Sequence, residues 1–131
     1  MPTQKKDLAQ LDALGKKTEP RRTLEVFPNH GGEKVRVTMA CAEFSCFCPM
    51  THQPDYATLD ISYTPDEYVL ESKSVKLYLE SFRNVGIFHE HLVVDIAKDI
   101  INRANPHALC VTAHFNRRGG IAISASYEWS K

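Results

Sequence analysis

The chain has 131 residues, of which 43% are hydrophobic and 24% charged, and its formal net charge is zero. This length and composition predict one globular domain with a single core. A neutral chain has no general attraction for nucleic acid or for an anionic membrane, so we expect neither as a partner. No apolar run reaches the roughly 20 residues of a transmembrane helix, and the lysine-rich first residues do not resemble a secretory signal.

The cysteines indicate a cytoplasmic protein. Four of them, Cys41, Cys46, Cys48 and Cys110, are too few and too unevenly spaced for a disulfide framework. Without a secretion signal they are expected to be free thiols in a reducing cytoplasm. We predict that Cys41 and Cys110 face the core, and we assign no role to Cys46.

The first half of the chain is predicted to hold an arm and three strands. Residues 1–21 are polar and form the arm, with one short helical stretch at residues 8–14, and residues 22–131 form the domain. A first strand is predicted at residues 22–27, before the turn sequence at residues 28–32. Alternation then predicts a half-buried strand with Val35, Val37, Met39 and Cys41 inward, and a further strand follows at residues 57–63 before a turn at residues 65–67.

Two helices are predicted next. The first has Val75, Leu77, Tyr78 and Phe82 at helical spacing, Ser72 or Ser74 as N-cap, and Gly86 just past its end. The second covers residues 88–103, ends before Pro106, and carries an apolar stripe of Leu92, Val93, Ile96 and Ile100.

A hairpin is predicted to end the chain. Strands at residues 109–115 and 121–127 flank the turn sequence Arg117, Arg118, Gly119 and Gly120. Strands followed by two helices and a hairpin predict an α+β fold.

Cys48 is a candidate nucleophile. Because Pro49 follows it, the backbone leaves the strand there and a ligand can approach the thiol. The commoner alternative is a structural cysteine in a loop. A zinc site of Cys46, Cys48 and His52 is a further alternative, but no second ligand pair with zinc-like spacing accompanies it.

Three further segments have a functional and a plain interpretation. Ser72 and Lys73 at a helix start suit an anion, or simply form a capped helix with solvated lysines. His89 and His91 are two residues apart and cannot share one helical face, so they are not a metalloprotease motif and are commonly solvated. Arg118 and its neighbours form either a plain turn or a phosphate contact opened by glycine.

Together and in this order, these segments resemble the short, single-domain 7-cyano-7-deazaguanine reductases of queuosine biosynthesis. The resemblance covers about residues 22–123, and its Glu71-to-Tyr78 stretch distinguishes these enzymes from the related GTP cyclohydrolases. The motifs that carry it are Cys48-Pro49, Gln53-Pro54-Asp55, Glu71-Ser72-Lys73-Ser74 with Lys76-Leu77-Tyr78, Ser81-Phe82-Arg83-Asn84, Phe88-His89-Glu90 and Arg118-Gly119-Gly120.

The resemblance implies a tunnelling fold, in which an antiparallel sheet carries two helices on one face. Such chains assemble into rings, typically a decamer of two stacked pentamers, with sites between subunits. It also implies a deazaguanine nitrile as substrate, NADPH as cofactor and no metal ion. No Rossmann-type glycine motif is present, so the NADPH site would be of another kind.

The resemblance also implies the roles of individual residues. Cys48 would form a covalent thioimide and Asp55 would donate the proton. The deazaguanine would be held by Leu70, Glu71, Ser72, His89 and Glu90, and NADPH by Ser72, Lys73, Arg118 and Gly119.

The chemistry requires that Cys48 be activated. A nitrile accepts hydride poorly, so prior thiolate addition is sensible covalent catalysis, but an ordinary cysteine is only about 3% thiolate at neutral pH. Moving its proton to an ordinary aspartate would cost on the order of 6 kcal/mol. The site is therefore expected to lower the pKa of Cys48, to make Asp55 a weaker acid, or to couple proton transfer to addition.

One residue departs from the family pattern. His52 stands where the family has glycine, which predicts a changed loop geometry or an added titrating group. Two alternatives to a reductase remain: a zinc-dependent, cyclohydrolase-like enzyme of the same fold acting on a purine or pterin, and a purine-binding protein without catalysis.

Overall fold

The structure, a computed structural model, describes residues 4–5 and 19–131. The predicted helical stretch at residues 8–14 lies outside these residues. The strands are β1 (Val26–Pro28), β2 (Val37–Phe47), β3 (Pro54–Thr64), β4 (Tyr68–Leu70), β5 (Ala108–Phe115) and β6 (Ser124–Ser130), and the helices are α1 (Ser72–Glu80) and α2 (His89–Ala104). No helix in the described part of the chain is long and apolar enough to cross a membrane.

An antiparallel sheet of order β2-β3-β5-β6 forms the centre of the fold, and β1 pairs with β4 in a separate small ribbon. Alternate residues of β3 and β5 face one side of this sheet and are buried there under both helices, because they belong to one core cluster with α1 and α2. These residues are Ala57, Leu59, Ile61 and Tyr63 in β3, and Leu109, Val111, Ala113 and Phe115 in β5. The predicted α+β architecture, with two helices on one face, is confirmed.

Helix α2 follows its apolar pattern closely. Leu92, Val93, Ile96 and Ile100 are all buried, so the predicted stripe is confirmed. Burying an aliphatic side chain of this size stabilises the fold by roughly 1.5–3 kcal/mol. The helix ends at Asn105, whose left-handed φ of 43° lets its N–H donate to the Ile101 carbonyl.

Helix α1 begins differently from the prediction. Its N-cap is Glu71, whose carboxylate accepts hydrogen bonds from the N–H of Lys73 (2.8 Å) and of Ser74 (2.7 Å). Ser72 and Ser74, the predicted caps, lie inside the helix, and the longer reach of a glutamate explains the difference. The Ser74 hydroxyl instead accepts from the N–H of Glu25 at 3.0 Å, which ties α1 to the segment before β1.

The end of α1 also differs from the predicted end of this helix. The helix stops at Glu80, so Phe82 lies just after it and is fully buried there. Gly86 is not the helix cap. It lies against Pro49, whose Cα would be only 3.2 Å from a Cβ at position 86, so glycine is needed for this close approach.

Strand β2 continues to Phe47, beyond the predicted alternation that ended at Cys41, because a β-bulge interrupts the alternation there. The pairing with β3 shifts by one residue between Cys41 and Phe44, and residues 44 and 46 are buried instead of odd-numbered ones. The prediction that Cys41 faces the core is confirmed, since it is half-buried and packs against the core cluster, whereas Cys110 is half-buried and is not part of that packing; Cys46 is fully buried. Val35, predicted to face inward, is 48% exposed and precedes the strand.

The outer strands also have shifted ends. β1 begins at Val26, after the buried Leu24, and is shorter than the predicted strand at residues 22–27. β6 begins at Ser124, not at residue 121, because the turn is wider than predicted: Arg118 bridges Ile121, and the Phe115 N–H donates to the Ile123 carbonyl at 2.9 Å.

Candidate functional site

A tight loop between β2 and β3 presents Cys48. The Cys48 N–H donates to the Gln53 carbonyl, and the His52 N–H donates to the Cys48 carbonyl, both at 2.9 Å. His52 has a left-handed φ of 57°, the region that favours glycine. The loop thus adopts a glycine-type conformation with a histidine at this position, and Cys48 is left half-buried at its start.

The loop also activates the thiol. Hydrogen bonds from the Thr51 hydroxyl, and then from the N–H groups of Thr51 and Met50, lower the pKa of Cys48, while partial burial and the charge of Asp55 oppose them. Of the three options that the chemistry left open, the structure supports this one. Cys46 behaves in the opposite way: burial, with the nearby charges of Asp55 and Cys48, raises its pKa to about 12. Of these two thiols, Cys48 is therefore the one that loses its proton more readily.

Asp55 lies beside the two cysteines in a fixed position. It directly pairs with Cys46 across the strands, its side chain is only 3% exposed, and it accepts a hydrogen bond from the Arg118 guanidinium. The Nε2 atom of His89 lies 3.3 Å from its second carboxylate oxygen. Arg118 also donates to the side-chain oxygen of Gln53.

His89 is held from a second side by an aromatic ring. Phe115 stacks on the imidazole with ring centroids 3.6 Å apart and planes 7° apart. The sequence motifs indicated no role for Phe115 or for the side chain of Gln53. Alternation in β5 does place Phe115 on the helix face, but nothing in the sequence indicated which ring it would meet. Glu90, the next residue of α2, is exposed in the first helical turn.

The remaining predicted binding residues lie at the other end of the sheet. Leu70 donates its N–H to the hydroxyl of Tyr63 at 2.9 Å, and Tyr63 is eight residues along β3 from Asp55. Eight extended residues span roughly 26 Å. In the described part of the chain, Leu70, Glu71, Ser72 and Lys73 make no hydrogen bond or ion pair to Cys48, Asp55 or His89.

The predicted cofactor residues have suitable chemistry but are divided in the same way. Arg118 is partly exposed, and a Cβ at Gly119, whose φ is +59°, would meet nothing within 4 Å, so the turn is open to a ligand. Ser72 and Lys73 are exposed at the start of α1. A guanidinium, an ammonium and a hydroxyl fit the phosphates of NADPH, but the helix offers fewer N–H donors than expected because Glu71 already uses those of Lys73 and Ser74.

The structure also bears on the zinc-site alternative, and it contains a surface groove. Among the described residues, no three His, Cys, Asp or Glu side chains are grouped so that they could hold a metal ion, so the Cys46, Cys48 and His52 arrangement gains no support. A groove of about 760 Å³ lies between β2 and α1, away from Cys48, with Met39, Phe44, Ser72 and Lys76 among its lining residues.

A cysteine with a lowered pKa lies beside a buried, cation-bound carboxylate on an α+β domain, and this arrangement is typical of the class of enzymes that use covalent catalysis. The family model described as QueF-like protein matches residues 54–131. The NADPH-dependent 7-cyano-7-deazaguanine reductase of Syntrophus aciditrophicus (strain SB) is 52% identical over 98% of this chain and 93% of its own length. The enzyme of the same name from Frankia casuarinae is 51% identical over 84% of this chain and 87% of its own.

A solved structure is also similar. The apo form of the archaeosine synthase QueF-Like superposes with a TM-score of 0.63 at 26% identity, over 72% of this chain and 90% of that one. This chain belongs to the QueF-like family.

Proposed function

We propose that Cys48 and Asp55 carry out the covalent steps of an NADPH-dependent nitrile reduction. The reaction is the one that the relatives' names state, an NADPH-dependent reduction of 7-cyano-7-deazaguanine. Its product would be 7-aminomethyl-7-deazaguanine, a step of queuosine biosynthesis, as the resemblance described above implies. The observation that carries the assignment to Cys48 is the contrast between its lowered pKa and the raised pKa of Cys46.

Cys48 begins the reaction as the nucleophile. Its sulfur forms a bond to the nitrile carbon, one C–N π bond breaks, and the nitrile nitrogen takes a proton, which gives a thioimide. Asp55 is the proton donor in this proposal: its carboxylate, which lies beside the thiol and is nearly excluded from water, takes up the proton that the Cys48 thiol releases and passes it to the nitrile nitrogen. NADPH, bound twice in turn, would supply two hydrides. After the first is added to the thioimide, the C–S bond breaks, Cys48 leaves as the thiolate and an imine remains; the second hydride, with a proton, would reduce the imine to the amine.

His89 and Glu90 are proposed to hold the deazaguanine next to Cys48. The carboxylate of Glu90 suits the ring N–H and exocyclic amine of a guanine-like edge, since it can accept two hydrogen bonds at once. His89 is fixed between Asp55 and Phe115, so its position relative to Cys48 is set before substrate arrives.

Completion of the site is proposed to require a second copy of the chain. Leu70, Glu71, Ser72 and Lys73 make no hydrogen bond or ion pair to Asp55 or His89 among the described residues, so we propose that they serve the Cys48 of a neighbouring subunit. Since the Glu71 carboxylate caps α1, it would orient Ser72 and Lys73 toward the substrate and NADPH, while Arg118 and Gly119 bind the cofactor from the Cys48 side.

The same proposal includes a ring. β2 and β6 are the two edges of the central sheet, and an exposed edge pairs readily with another chain. Edge-to-edge pairing around a closed ring would bring Ser72, on the rim of the groove beside β2, to a neighbouring subunit. Two stacked pentamers contain ten copies of the 14.8-kDa chain, about 148 kDa in total. We place the enzyme in the cytoplasm, which agrees with its four free thiols.

The nucleophile can be tested without NADPH. Incubation with the nitrile substrate alone should add one substrate mass to the intact chain, and peptide mass spectrometry should find it on Cys48. Cys46→Ala is the matched control and should still form the adduct, whereas Cys48→Ala should not. An adduct on another cysteine, or none on a folded wild type that binds substrate, would exclude this mechanism.

A further inference from the structure

Asp55 is bound by Arg118, and the proposed function gives this contact no role. The guanidinium of Arg118 comes from the turn between β5 and β6, crosses to the start of β3, and binds both Asp55 and Gln53. Arg118 remains 38% exposed, whereas Asp55 is 3% exposed. A buried carboxylate is costly unless it is paired, and Arg118 supplies the pairing from the solvent side.

The pairing of Asp55 with Arg118 also affects the Cys48 thiol. Asp55 faces the thiols of Cys46 and Cys48 from β2, the imidazole of His89 from α2, and Arg118 from the turn. Its negative charge opposes the formation of a second negative charge on the Cys48 sulfur. A cation fixed on Asp55 reduces this repulsion, because the pair presents little net charge to the sulfur.

We propose that Arg118 is a positioning residue for the nucleophile: by neutralising Asp55, it allows the Cys48 thiolate to form beside a buried carboxylate. This role deepens the proposed function, since it rests on Cys48 as nucleophile, and it adds to the contact of Arg118 with the cofactor. It also explains why the cation lies on a glycine-rich turn, where the side chain can reach Asp55 while part of it stays accessible to an anionic ligand.

The test measures thiol reactivity and needs neither substrate nor NADPH. The rate of Cys48 alkylation by iodoacetamide is followed against pH in the assembled protein, and peptide mass spectrometry separates it from alkylation of the half-buried Cys41 and Cys110. Arg118→Gln is compared with wild type and with Arg117→Gln, the neighbouring exposed arginine, as the matched control.

We expect Arg118→Gln to move the alkylation midpoint of Cys48 to higher pH and to slow the reaction at neutral pH by about three- to tenfold, since one pKa unit is a factor of ten. Arg117→Gln should behave as wild type. The double variant Asp55→Asn/Arg118→Gln should return the midpoint to the wild-type value or below, because the repelling charge is gone.

Three results would overturn the proposal. One is an unchanged midpoint in Arg118→Gln. Another is a shift that Asp55→Asn does not reverse, which would show that Arg118 only maintains the loop. The third is an equal shift in His89→Gln, which would assign the effect to the imidazole. None of these results depends on turnover, so they are distinguishable from failure of the proposed reaction.

Discussion

Cys46 lies near the end of β2 and Cys48 just after it, yet the pKa values of their thiols shift in opposite directions. Cys46 has no exposed surface, and burial keeps it a neutral thiol. Cys48 lies where the strand ends, and the Thr51 hydroxyl and loop N–H groups stabilise its thiolate. The sequence predicted Cys48 from the proline that follows it. It could not predict Thr51, since that contact depends on how the loop folds back.

His52 shows how this chain accommodates its departure from the family pattern. The left-handed φ of 57° is the conformation for which glycine is suited, and histidine tolerates it better than most residues do. The expected change in loop geometry is therefore not needed to accept the side chain.

We predict that His52→Gly changes the free energy of unfolding by less than about 1 kcal/mol, since lost strain and added chain entropy oppose each other. His52→Val should lower it by about 1–2 kcal/mol, because a β-branched residue resists this backbone conformation. Urea unfolding measures both. Equal stability of the two variants would contradict the backbone argument.

Among the elements, the bulge in β2 decides which residues reach the site. Before the bulge, the odd-numbered Val37, Met39 and Cys41 face the helices, and after it Phe44 and Cys46 do so. Alternation in the sequence predicted the first part of the strand but not the insertion of one residue. Without this shift, the alternation would make Cys46, the residue that pairs with Asp55, face away from the helices.

The N-terminus of α1 gives a prediction with a defined pH dependence. Hydrogen bonds from the N–H of Lys73, then of Ser74, lower the pKa of Glu71 below its unfolded value. The stabilisation is therefore present above the unfolded pKa, roughly 4.3, and is lost as pH falls through the folded pKa.

Glu71→Gln should accordingly lower the melting temperature at pH 7, and its difference from wild type should shrink below about pH 4. Glu80→Gln, at the other end of the same helix, is the control and should not destabilise, since a carboxylate there opposes the helix dipole. Thermal unfolding at several pH values measures both. A difference that does not change with pH would contradict the cap.

At the scale of the whole molecule, the proposed site falls into two groups of residues that are not hydrogen-bonded to each other in the described part of the chain. The motifs supplied the proposed catalytic and binding residues, but not Thr51 or Phe115, and spacing in the sequence gave no indication that Asp55 and Glu71 would belong to different groups. The sequence also did not predict the pairing of Asp55 with Arg118, 63 residues away, because this contact depends on the path of the β5–β6 hairpin.

This division predicts complementation between subunits. Cys48→Ala and the double variant Ser72→Ala/Lys73→Ala should each have little activity alone. Co-expressed in equal amounts, they should recover about one quarter of wild-type activity, because random mixing in a ring leaves that share of sites with both halves intact. Co-expression of two copies of the Cys48→Ala chain serves as the control. No recovery in assemblies shown to contain both chains would place the site within one subunit.

The most direct test of the central claim is the stoichiometry of NADPH oxidation with 7-cyano-7-deazaguanine. The account predicts two NADPH oxidised for each nitrile consumed by the wild type, the same ratio for Cys46→Ala, and no oxidation by a folded Cys48→Ala. A folded, assembled wild type that oxidises no NADPH, or a Cys48→Ala variant that turns over at the wild-type rate, would contradict it.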